Sequence, residues 1–134
     1  MSFSESVSPL LGRLVLAWFF IEEALGLSGQ WDANIQLMAL KGIAAPPAVL
    51  ALGVLVLWLG SVSLAFGYHT RVGALVLFAF TLAVALVLHD FWTHAKAADR
   101  ADEFALFARD VAIGGALLFI AGVGPGAFAI DNRV

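Results

Sequence analysis

Four apolar stretches, each close to the length of a membrane crossing, alternate with polar segments along this chain, at about 10–27, 47–66, 72–88 and 104–123. A hydrocarbon layer about 30 Å thick is crossed by about 20 helical residues at 1.5 Å rise each, so the pattern predicts four transmembrane helices. A β-barrel would need short alternating segments and many more strands than this length allows. The expected fold is all-α: an integral membrane four-helix bundle made by a single domain over residues 1–134.

Local signals punctuate the pattern. Ser8-Pro9 offers an N-cap and a first-turn proline to the first span, and Ser28-Gly29 closes it. Pro46-Pro47 opens the second span, and Gly67-Tyr68-His69-Thr70-Arg71 makes a tight polar turn that sets the second and third spans antiparallel. Gly124-Pro125-Gly126 stops the fourth. Residues 30–45 carry Trp31, Asp32 and Lys41 beside Ile35, Leu37, Met38 and Leu40, the mixture of a loop or of a short helix resting on the membrane surface. Residues 89–103 are too charged for hydrocarbon and are expected outside it. Small residues at Gly53, Gly60 and Gly67, at Ala79 and Ala83, and at Gly114-Gly115 mark close helix contacts.

Composition removes several classes of function. Of 134 residues, 62% are hydrophobic and 13% charged, with a mean hydropathy of +0.97, against about half and about a quarter in a soluble domain. Without cysteine the chain has no thiolate nucleophile, disulfide, Fe–S ligand or Cys-based zinc site of its own. A net charge of -3 with no basic run argues against nucleic acid. Residues 1–8 lack a positive n-region and a clear cleavage site, so the first span is expected to be retained and not removed as a signal peptide. Four spans put both termini on the side of the 67–71 turn. Arg13, Arg71 and Arg133 on that side nearly balance Lys41, Lys96, Arg100 and Arg109 on the other, so charge counting does not choose an orientation.

The candidate chemistry gathers at one end. Glu22 and Glu23 lie about one turn inside the far end of the first span, His89-Asp90-Phe91-Trp92 at the exit of the third, and Arg109-Asp110 near the start of the fourth. Carboxylates at such depth need a partner, water or a proton, and crowding favours a proton remaining on one of them. Glu22, Glu23, His89, Asp90, Trp92, Arg109 and Asp110 are therefore the candidates for a proton-relay or quinone site, where His and carboxyl groups hydrogen-bond a carbonyl oxygen. A plainer reading has Arg109 clamp the first helix to the fourth through Glu22 or Glu23; adjacent residues point about 100° apart, so one partner excludes the other. His89 and Trp92 equally suit the membrane–water boundary. Haem is disfavoured, because His69 lies at the opposite end from His89 and His94 sits in a polar loop. No metal-ligand spacing occurs.

Taken in order, Gly12-Arg13-Leu14, the run from Gly60 through Gly67 to Thr70-Arg71, His89-Asp90-Phe91-Trp92, and Gly114-Gly115 followed by Gly124-Pro125-Gly126 and Asp131 form a pattern. In these stretches the chain resembles the DoxX family, small bacterial four-helix membrane proteins related to the small subunit of thiosulfate:quinone oxidoreductase. It departs from the family's usual pattern at Leu57, where similar proteins often carry Glu, at Gly60-Ser61 in place of a glycine pair, at Glu23-Ala24-Leu25-Gly26-Leu27, and at Arg109 in place of Asn. The buried carboxylate is thus expected to have moved from the second helix to the first, and only His89, Phe91 and Trp92 carry over directly. The resemblance implies a multi-pass protein of the bacterial cytoplasmic membrane, its termini in the cytoplasm, associated with oxidoreductase complexes and with quinone or sulfur redox partners. Three functions remain open. One is a small subunit of a quinone-linked electron-transfer complex, contributing to chemistry without being a self-sufficient enzyme. Another is an assembly subunit held together by Arg109 and the acids. The last is a proton-linked transporter, which lacks visible inverted repeats unless a second copy supplies them. Expected partners are the bilayer and other membrane subunits or a second copy.

Overall fold

A computed structural model describes residues 2–133; Met1 and Val134, which the single-domain range includes, lie outside the described residues. Five α-helices follow one another: α1 (Phe3–Gly29), α2 (Trp31–Leu40), α3 (Pro46–Phe66), α4 (Thr70–Val87) and α5 (Ala97–Val123), with short 3-10 turns at Phe91–Thr93 and Ile130–Asn132. No strand occurs among the described residues. Three helical segments are long and apolar enough to cross a membrane: Pro46–Phe66, Thr70–Thr93 and Ala97–Val123. The 27 residues of α1 are long enough, but Arg13, Glu22 and Glu23 fall inside its apolar stretch. The protein is an all-helical transmembrane protein.

Two helices are longer than the hydropathy pattern indicates. The backbone N–H of Ser2 donates to Glu5 Oε2 at 3.1 Å, so α1 starts there instead of at Ser8, and Pro9 lies inside it. Proline removes one hydrogen bond, to the carbonyl four residues back; that residue, Glu5, is in an exposed turn where water serves instead. Helix α5 starts seven residues before the apolar stretch and takes up Asp99, Arg100, Asp102 and Glu103. Charge there governs depth in the membrane and leaves the helix intact. The segment from 30 to 45 supplies α2, with Met38 buried and Leu40 exposed.

Helix α1 packs on α3, α3 on α4 and α4 on α5. Their shared core is Ala17, Phe20 and Ala24 of α1, Leu57 and Leu64 of α3, Ala74 and Leu77 of α4, and Leu117 of α5. Lipid is as apolar as leucine, so close packing has to hold these helices together. At two crossings of α3 and α4 a glycine makes this possible: a Cβ on Gly60 would collide with the Leu77 side chain, and one on Gly73 with Ser63.

At the end where α3 turns into α4, the C-terminal tail folds back over the turn. Gly67 and His69 both adopt left-handed φ, 67° and 49°, and α4 starts without a side-chain cap of its own. Asp131 substitutes for one: its carboxylate accepts from the N–H of His69 at 2.6 Å and of Thr70 at 2.9 Å, while its own N–H donates to the Gly67 carbonyl at 2.8 Å. Arg71 closes α5, donating to the carbonyls of Ala121 and Gly122 at 3.0 and 2.6 Å, groups that a helix end leaves unpaired. Buried Arg13 donates to the carbonyls of Leu64 and Phe128 and so joins α1, α3 and the tail.

Burial alone would push the Asp131 carboxyl up, but the N–H groups of Thr70 and His69 outweigh it and hold the group below the usual carboxylate range. A carboxyl whose folded pKa is depressed adds stability above its unfolded pKa, and that contribution disappears as pH falls through the folded value. Wild type is therefore expected to be more heat-stable in detergent than Asp131→Asn at neutral pH. The difference should shrink on acidification below about pH 4. A difference independent of pH would show that the carboxylate charge is not what caps α4.

Candidate functional site

At the opposite end of the bundle the helices part around a cleft of about 490 Å³. The C-terminal half of α1 contributes Phe19, Phe20, Glu23 and Leu27; α2 covers it with Asn34 and Met38; α3 adds Leu50, Gly53 and Leu57; and α4 adds Phe80, Thr81 and Val84. Asp110 of α5 stands at the back. Small residues open the space, since Gly53 presents no side chain toward Phe80. A volume of this size with apolar walls and few polar groups is the usual form of a small-molecule site.

Asp110 is 5% exposed. Its Oδ1 accepts from Arg109 Nε and Nη2 at 3.2 and 3.1 Å, whereas its buried Oδ2 has no hydrogen-bond partner among the described residues. His89 Nε2 stands 3.6 Å from that oxygen, beyond a hydrogen bond but within electrostatic reach. Asp110 also lines a second cavity, of about 310 Å³, between α4 and α5, beside Phe78 and Gly114. Thr81 Oγ1, in the wall of the main cleft, is likewise buried and unpartnered among the described residues. An unpaired buried hydroxyl or carboxylate oxygen costs about 1–3 kcal/mol or more, so both oxygens gain from a hydrogen bond to a polar ligand group.

The sequence candidates separate into three places. His89 and Asp110 come together behind the cleft, and Glu23 lines it. Glu22 points away and is exposed. Neither Glu22 nor Glu23 forms an ion pair among the described residues, and Arg109 does not reach them. It lies on Asp110 and over the Phe19 ring, 5.4 Å from the centroid, so it ties α5 to α1 through an aromatic face. Asp90 sits apart, 2.5 Å from Lys41 Nζ, in a bridge joining the segment after α2 to the exit of α4. Trp92 is exposed and packs edge-on against Phe91 and Phe107. Four residues that matter here were outside the sequence candidates: Lys41, Thr81, Asn34 and Glu103, the last with Oε2 3.0 Å from His89 Nδ1.

The geometry sits alongside clear relationships. A family model described as DoxX matches residues 8–90. The chain is 31% identical to inner membrane protein YqjF of Escherichia coli strain K12 over 128 residues, 96% of this chain and 92% of that protein. It is 27% identical to inner membrane protein YphA of the same organism over 124 residues, 92% and 88% of the two chains. No solved structure matches the chain significantly.

Proposed function

The chain belongs to the DoxX family, and from that premise we propose that it is an inner-membrane subunit whose cleft holds the head group of a lipophilic quinone. All four long helices cross the bilayer in this reading, α1 with its charged positions turned to the bundle or to the interface, and both termini face the cytoplasm. The observation that carries it is the unpartnered Oδ2 of Asp110 at the back of an apolar cleft.

The residues fit such a ligand. The aromatic and aliphatic walls accept a ring and the start of an apolar tail, which can enter sideways from lipid past the outward positions Leu52 and Val76. Asp110, when it carries a proton on Oδ2, donates to a carbonyl oxygen and loses the cost of being unpaired. Thr81 Oγ1 offers a second hydroxyl donor from α4. Arg109 holds Oδ1, so the carboxyl presents Oδ2 and cannot rotate freely. A quinone supplies two-electron, two-proton carriage when bound. The chain has no cysteine for thiol or Fe–S chemistry, so a partner subunit of oxidoreductase class supplies the electrons.

A photoreactive quinone analogue added to the purified protein, followed by peptide mapping, tests the site. Adducts are expected within 19–27, 49–57 and 76–88, suppressed by excess short-tailed ubiquinone. Ala83→Phe, which fills the cleft from an outward position of α4, should reduce labelling by about tenfold or more while the helical spectrum is kept. Labelling spread over the lipid-facing surface, insensitive to competitor and to Ala83→Phe, would remove this reading.

A further inference from the structure

Apart from Glu23, Asn34 and Thr81, none of which hydrogen-bonds Asp110 among the described residues, the cleft walls are apolar. A proton on Asp110 therefore needs its own way in from water. On the face of α5 that carries Asp110, Glu103 stands seven residues earlier, two helical turns or about 10 Å nearer the charged start of the helix. Its side chain is 27% exposed. Between the two carboxyls lies His89, 17% exposed, with Nδ1 3.0 Å from Glu103 Oε2 and Nε2 3.6 Å from Asp110 Oδ2. Exposure falls stepwise along the line, from Glu103 through His89 to Asp110. The innermost oxygen is the one left without a hydrogen bond.

We propose that Glu103 and His89 form a proton path from the aqueous boundary to Asp110, with Glu103 as its water-facing end. The proposal deepens the quinone-site reading and rests on it only for the proton's destination. An imidazole can take a proton on one ring nitrogen and release another from the second, which suits a group held between two carboxyls. A proton passes from the Glu103 carboxyl to His89 Nδ1. The ring then gives its Nε2 proton to Asp110 Oδ2 as that gap closes. One proton enters, one arrives, and the ring is restored by tautomer exchange; no other bond changes.

Arg109 and Asp90 stand close to this line without forming part of it. Arg109 binds Oδ1 of Asp110 and fixes its orientation without standing between it and His89. Asp90 is paired with Lys41 and faces His94 Nε2 at 3.9 Å, off the line. Arg109 is therefore a positioning residue and Glu103 a relay group.

The test is deuterium exchange of the Asp110 carboxyl in the purified full-length protein, without quinone. It is read as the shift of the protonated C=O band in the infrared at acid pH, the band being assigned by its loss in Asp110→Asn. Glu103→Leu and His89→Leu are each expected to slow exchange by about tenfold or more, and Glu103→Asp to restore it. Amide exchange along α5 serves as control, because a variant that loosened the helix would exchange faster. Wild-type rates in both leucine variants would overturn the path, as would slowing by Glu103→Leu that Glu103→Asp fails to reverse. Slowed exchange in a protein that binds no quinone would leave the path standing and remove only its assigned destination.

Discussion

Arg13→Ala is expected to destabilise this protein strongly, by on the order of 3–5 kcal/mol. The side chain is 1% exposed, and its guanidinium joins α1, α3 and the C-terminal tail. The carbonyl of Leu64 lies in the last turn of α3, among those a helix leaves unpaired, and Arg13 Nη1 reaches it at 2.9 Å. The Phe128 carbonyl belongs to the returning tail and is met by Nη2. Asp131 is close enough to act on the charge, and the tail it anchors also caps α4. Truncation strands two carbonyls and leaves a hole beside Gly67. Lysine cannot repair this, because one ammonium on a flexible stem does not reproduce the planar fork that reaches both carbonyls. Thermal unfolding in detergent should show a large drop for Arg13→Ala and a smaller but clear one for Arg13→Lys. Unchanged melting in both would mean that the tail is held without this residue.

Asp110→Leu should do the reverse, raising thermal stability by about 1–4 kcal/mol while abolishing quinone retention. A buried carboxylate with one oxygen unpaired is a cost, and a leucine of similar size removes it and fills space between the two cavities that Asp110 lines. The substitution strands no other charge: Arg109 is 38% exposed on its side chain, and His89 keeps its bond to Glu103. Proteins keep such residues at functional sites despite the loss of stability. The assembly reading expects the opposite result, a drop in melting temperature like that of Arg13→Ala with retained ligand unaffected. Measuring both properties on one preparation therefore separates a residue that serves a ligand from one that serves the bundle.

The middle of the fold was legible because its signals are local. Pro46-Pro47 and the Gly67–Arg71 turn delimit α3 and α4 to within two residues of the expected spans. The outer helices were not, and for opposite reasons. In α1 two start signals compete, Ser8-Pro9 and Ser2 with Glu5 three residues on, and the second prevails because the proline's missing bond falls in an exposed turn. In α5 the charged run 97–103 breaks the hydropathy pattern without breaking the helix, which starts at Ala97. Hydropathy alone therefore does not show that Glu103, seven residues before Asp110, shares a helix face with it.

Following the spans through the membrane was enough to bring His89 and Asp110 to the same end. It was not enough to choose partners. Opposite charge favoured Arg109 with Glu22 or Glu23, whereas the guanidinium finds the neighbouring Asp110 and an aromatic ring. Lys41 with Asp90 joins residues 49 apart and needed the fold to be seen. The carboxylate at the back of the cleft belongs to α5, and α1 contributes Glu23 to its wall.

The central claim, that the cleft at Asp110 holds a quinone, is tested most directly by native mass spectrometry of wild-type protein released from its own membrane in mild detergent. The expected spectrum contains the chain with about one quinone bound, lost in Asp110→Leu and in Ala83→Phe. A spectrum of the chain with ordinary phospholipid alone, identical in all three proteins, would contradict the account.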